Sequence, residues 1–112
     1  MANERYFSIL DRLIAKSRNR ELDWKEGVFP QSFQVSFPNY SLTLGPQFRG
    51  NTKDYVVTIL NSEGTAIDEF SDVDLGDGYF AQMDELYQSA RRQALGVDKA
   101  LDEILQELDD DN

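Results

Sequence analysis

Neither cysteine nor histidine occurs among the 112 residues. Without cysteine no disulfide staples the fold and no thiolate can attack a substrate or bind a metal. Without histidine the usual base near neutral pH is missing, and with it the Ser/His and Cys/His nucleophile pairs and every His/Cys metal site. Any catalysis would have to rest on carboxylates, lysine, arginine or tyrosine alone. Apolar runs are short, and nothing approaches the roughly twenty apolar residues needed to cross a bilayer. The opening Met1-Ala2-Asn3-Glu4 has no cationic n-region, and Asp11, Arg12 and Lys16 interrupt the apolar residues that follow. No secretory signal is read there, so a cytoplasmic location is expected. Cations are scarce in the second half. Residues 1–60 carry eight Lys/Arg against six Asp/Glu, or +2, while residues 61–112 carry three against fifteen, or −12. One end of the molecule should therefore repel nucleic acid and anionic membrane and attract cations or basic partners. Neither direct nucleic-acid binding nor membrane association is expected. The plainer alternative is that the charge serves solubility.

What is present reads as a single α+β domain over 1–112, long enough to bury roughly two thirds of its unfolded surface. The stretch Asp54 to Asn61 organises it. It is β-branched and aromatic, closed by polar turn formers, and reads as a strand. Alternation puts Tyr55, Val57 and Ile59 on one face and Val56, Thr58 and Leu60 on the other. Both faces are mostly apolar, which predicts a central strand covered on each side.

Before it, Asn3 can cap a helix over roughly Glu4 to Arg18, with Tyr6, Ile9, Leu10, Leu13 and Ile14 at helical spacing and a basic last turn. Leu22 and Trp24 form a short extended piece that tucks the indole, as a core anchor, against the sheet edge. Ser32 to Phe37 and Tyr40 to Leu44 alternate as half-buried strands joined through Pro38-Asn39. Gly45 to Lys53 reads as a longer flexible loop. After the central strand, Asn61 to Gly64 turns the chain into Thr65 to Phe70, the fourth strand of an antiparallel meander. Ser71 to Gly78 reads as an acidic linker. Two C-terminal helices follow, from Tyr79 to Leu95 and then from a cap at Asp98. Val97, Ala100, Leu101, Ile104, Leu105 and Leu108 of the latter keep close i, i+3, i+4, i+7 spacing. Acidic residues 109–112 sit badly at a helix C-terminus and should fray.

Three groups of residues are candidates for function. The acids Asp68, Glu69, Asp72, Asp74 and Asp77 suggest a calcium loop but miss its pattern. With Asp72 as position one, Gly76 falls where a ligand is needed, Asp77 where the turn glycine belongs and Met83 where the bidentate Glu should be. Divalent-cation binding there stays open beside a solvated turn, and no cofactor is expected. Arg91 and Arg92 suit the end of their helix and could pair with Asp98, Asp102 or the acidic loop, or could receive a partner's carboxylate. Val56, Leu60, Ala66 and Phe70 would share the second sheet face. If too little helix remains to cover it, that patch becomes an interface with a protein partner or a second copy.

The run Leu86 to Val97, with Leu22/Trp24 and Asp54-Tyr55 upstream and Glu69-Phe70-Ser71-Asp72 between, resembles a recurrent small bacterial α+β domain of unassigned function. The resemblance spans most of the chain from the first helix onward and implies no activity, cofactor or ligand. Together these readings predict a helix, a four-stranded meander and two helices in a non-catalytic interaction or regulatory module. The competing reading is an acidic mimic of nucleic acid that occupies the groove of a basic DNA- or RNA-binding protein.

Overall fold

The computed structural model describes residues 3–110. Asn3 is the N-cap of helix α1 (Glu4–Arg18), its side chain accepting from the Arg5 N–H, and Leu10 and Leu13 form the buried stripe. Five antiparallel strands follow in sequence order: β1 (Lys25–Glu26), β2 (Phe33–Ser36), β3 (Tyr40–Arg49), β4 (Thr52–Asn61) and β5 (Ala66–Ser71). A one-turn helix α2 (Asp72–Leu75) leads to helix α3 (Tyr79–Leu95) and helix α4 (Val97–Asp109).

The class is α+β, with five strands where four were expected. The added strand is β1, which pairs Lys25 with Gln34 and Glu26 with Phe33 at the sheet edge. Trp24 just before it is 2% exposed, and its indole N–H donates to Ser17 Oγ on α1 at 2.9 Å.

The expected loop at 45–53 is instead the outer half of a long hairpin. Pairing of β3 with β4 runs unbroken from Tyr40↔Asn61 to Arg49↔Thr52, closed by Gly50-Asn51 with Gly50 at φ 60°. Pro46 is tolerated because it faces Tyr55, whose backbone N–H points the other way, to Asp72 Oδ1 at 2.8 Å. The pair is thus of the non-hydrogen-bonded kind, and β2 ends its pairing at Leu44, so no neighbour misses the proline N–H.

Cross-strand pairs sort the two faces. Leu42↔Ile59, Leu44↔Val57, Phe33↔Leu44 and Val57↔Phe70 lie on the face covered by α1 and α3. There they join Leu10, Leu13, Trp24, Met83, Leu86, Tyr87 and Ala90 in one core. Phe70 was expected on the opposite face. A register shift at Ile59/Leu60 pairs Leu60 with Ala66 but Ile59 with Asp68, so the phase of β5 changes after Ala66 and carries Phe70 to the helix side. Its ring stacks on Tyr6 with centroids 4.4 Å apart.

The 71–78 stretch is not a plain linker. Ser71 and Asp74 form a reciprocal capping box that starts α2. At the C-terminal end, Gly96 adopts left-handed φ 64°, ψ 40° and separates α3 from α4. Asp98 does not cap α4, which begins at Val97 with no side-chain cap. Of the acidic tail, 111 and 112 lie outside the described residues, and the helix continues through Asp109. Among the described residues no helix is long and apolar enough to cross a membrane.

Candidate docking surfaces

The second sheet face carries Thr43↔Thr58, Ser41↔Leu60, Gly45↔Val56 and Leu60↔Ala66. Among the described residues no helix lies over it. The 27–32 loop folds onto one end, leaving a space of about 140 Å³ between Phe29 and Pro30 above and Thr43, Val56 and Thr58 below. Gly45 makes this approach possible, since a Cβ there would stand 3.1 Å from Ser32 Cβ. Leu60 is 3% exposed, Val56 is half-buried and Ala66 is a small exposed side chain. Threonine, serine, Gln34 and Glu69 occupy most of the rest of this face. Leu60 and Ala66 are therefore cross-strand neighbours on one face, Val56 shares that face beyond Thr58, Phe70 is on the other, and the three together expose little apolar surface.

The acidic residues are mostly occupied within the fold. Asp72 is buried and accepts the Tyr55 N–H, Asp74 completes the capping box, and Asp68 accepts the Tyr6 hydroxyl at 2.9 Å. No group of three or more Asp/Glu poised to hold a metal occurs among the described residues. Tyr55 donates its hydroxyl to Asp84. Burial first, and then this bond to a carboxylate, raise the Tyr55 pKa well above its usual value. Asp68 likewise raises Tyr6, and burial raises Tyr87. Arg92 pairs with Asp98 across the Gly96 break, while Arg91 Nε donates to Gln88 Oε1 at 3.1 Å.

A continuous exposed apolar stripe lies elsewhere, on α4. The helical spacing read in the sequence is present, but none of its side chains is buried. Leu101 is 47%, Ile104 54%, Leu105 59% and Leu108 68% exposed. Asp98, Asp102, Glu103, Glu107 and Asp109 share this helix with a single cation, Lys99. Among the described residues, α3 is the one element α4 packs against to any extent. The radius of gyration is 16.0 Å and the longest dimension 61 Å, against about 13 Å for a compact chain of this length. The excess fits a helix that stands away from the body.

A second apolar feature lies between α1 and the β2–β3 end of the sheet. Ile9, Leu13, Leu22, Phe37, Leu42 and Ile59 are among the residues lining a groove of about 270 Å³. Arg12 and Lys16, one turn apart on α1, form one rim, and the exposed rings of Phe37 and Tyr40 form the other. Lys16 also meets Glu21 at 3.3 Å, both side chains being about half exposed. Sequence reasoning had no signal for this groove, because its walls come from segments some fifty residues apart.

No family model matches the chain, and no curated protein or solved structure matches it either.

Proposed function

We propose that the chain is a non-catalytic interaction or regulatory module, working in the cytoplasm, whose docking element is α4. The observation that carries this reading is a 13-residue amphipathic helix with no buried residue and four large aliphatic side chains in solvent. Helices of this pattern ordinarily hide that stripe against their own fold, and an uncovered one suits insertion into a partner's groove. A cysteine-free chain fits a reducing compartment.

The nucleic-acid mimic is less well supported. It needs free carboxylates arrayed on one surface, whereas Asp72, Asp74, Asp68, Asp84, Glu85 and Asp98 each have a partner within the fold.

Native mass spectrometry of the protein in an extract of its source cells tests the docking reading. Assemblies formed by the unaltered chain, with itself or with other proteins, should be lost from Ile104→Asp/Leu108→Asp while the near-ultraviolet circular dichroism of the core aromatic residues stays the same. A variant that keeps every assembly would refute a docking role for α4.

A further inference from the structure

Two of the apolar surfaces left open among the described residues complement each other. One is a convex aliphatic stripe on an acidic helix, and the other is a concave apolar groove with a cationic rim. The geometry points to a second copy of the chain as the occupant: α4 of one molecule lies in the α1–sheet groove of its partner, and the contact is repeated in return.

Charge is the first argument. The groove belongs to the half of the sequence with net +2 and the helix to the half with net −12. On α4, Glu103 and Glu107 lie one turn apart on one side of the stripe, Glu103 further round, and Asp98, Asp102 and Asp109 lie along the other side. Laid in the groove, the side that carries Glu103 and Glu107 meets Arg12 and Lys16, while on the other side Asp98 is already paired with Arg92. Two α4 helices packed on each other would instead bring together two strongly acidic elements, which like-charge repulsion opposes.

Size is the second argument. At 270 Å³ the groove falls just below the roughly 300–1,000 Å³ typical of small-molecule pockets. It suits a pair of aliphatic side chains better than a ligand. Leu101, Ile104, Leu105 and Leu108 offer such pairs one turn apart. Reciprocity follows because each copy carries both surfaces, and a two-fold arrangement satisfies both at once and closes at two molecules.

This inference rests on the reading of α4 as the docking element, and the experiment separates the two. Purified full-length protein is followed by light scattering from about 1 µM to 1 mM, a range that brackets modest affinity. A monomer–dimer transition is expected. Arg12→Glu/Lys16→Glu should weaken it about tenfold or more, and adding Glu103→Lys/Glu107→Lys to the same chain should restore it. The protein has no cysteine, so pairing can also be trapped directly. Chains carrying only Tyr40→Cys and chains carrying only Leu105→Cys should form a mixed disulfide when combined. A strict monomer overturns the second-copy occupant but leaves assemblies with other proteins, and hence the docking reading, intact. A dimer indifferent to the rim reversal, a reversal that α4 lysines do not rescue, or a Leu105→Cys chain that links only to itself each overturns the groove as the seat.

Discussion

Ile104 and Leu10 are both large aliphatic residues on amphipathic helices, and truncating them should give opposite results. Leu10 is 0% exposed within the core. Leu10→Ala removes three carbons from a close-packed site and should cost about 2–5 kcal/mol. Ile104 is 54% exposed. Full burial of such a side chain is worth about 1.5–3 kcal/mol, and less than half of that is in place here. Alanine also gains a few tenths of a kcal/mol in helix propensity, so Ile104→Ala should shift stability by less than about 1 kcal/mol. Urea unfolding near 1 µM, followed by the lone Trp24 and by helical circular dichroism, measures both. Repeating it at a hundredfold higher concentration adds a second comparison. The midpoint of the unaltered chain should rise by mass action as α4 finds its seat, and that of Ile104→Ala should rise less. A cost of about 2 kcal/mol or more at the lowest concentration would refute the reasoning, since it would mean that α4 is packed within its own chain.

Three further outcomes follow from the fold. Asp72→Ala leaves the N–H of fully buried Tyr55 without its acceptor and should cost about 2 kcal/mol in urea unfolding, whereas Asp72→Asn keeps an oxygen there and should cost clearly less. Tyr55 ionises near 10.0 when unfolded and higher when folded, because of burial and then Asp84. The native state therefore holds the proton more tightly, and stability should be level below about pH 10 and fall above it, less steeply in Tyr55→Phe, as read by urea midpoints against pH. Gly96→Ala places a Cβ at φ 64° with no atom within 4 Å of it; a left-handed L-residue costs about 1–2 kcal/mol, so the chain should straighten α3 into α4. Spin-label distances from α1 to the end of α4 should then change, and an unchanged distribution would count against it.

The sheet was legible where side-chain alternation was regular. Phe33/Val35, Leu42/Leu44 and Tyr55/Val57 occupy the buried face that period two assigns them. It was illegible at Phe70 because a bulge inserts one unpaired position, and β5 is too short and too exposed for its sequence to reveal the slip. The outer half of the β3–β4 hairpin was hidden by Gly45 and Pro46. Both break the usual strand composition, yet each fits its place, the glycine for the close approach of Ser32 and the proline at a position needing no donor. The α3 and α4 helices show the limit of periodicity. Ala90, Ala94, Val97, Leu101, Ile104 and Leu108 continue one run of alternating steps of four and three across both. Spacing states that a stripe exists, and says nothing of whether the fold provides a surface to receive it. That depends on where Gly96 aims the chain, a matter of one residue's backbone angles.

This dependence explains why α4 is suited to reversible docking. A helix of thirteen residues is marginal in water on its own. Here no residue is buried, there is no side-chain N-cap, and the last turn carries acids against the dipole with no cation to offset them. Its helicity in the free molecule is therefore only weakly supported, and part of any docking energy must go into ordering it. Such an interface is weaker than its contact area suggests, and it responds to anything that alters helix stability or charge on α4 without touching the core. The body of the protein, held by Trp24, Tyr55, Phe70 and Met83, can remain folded whether or not α4 is engaged. In the proposed docking role stability resides in the core and binding in the appended helix, so the docking surface can change without altering the core.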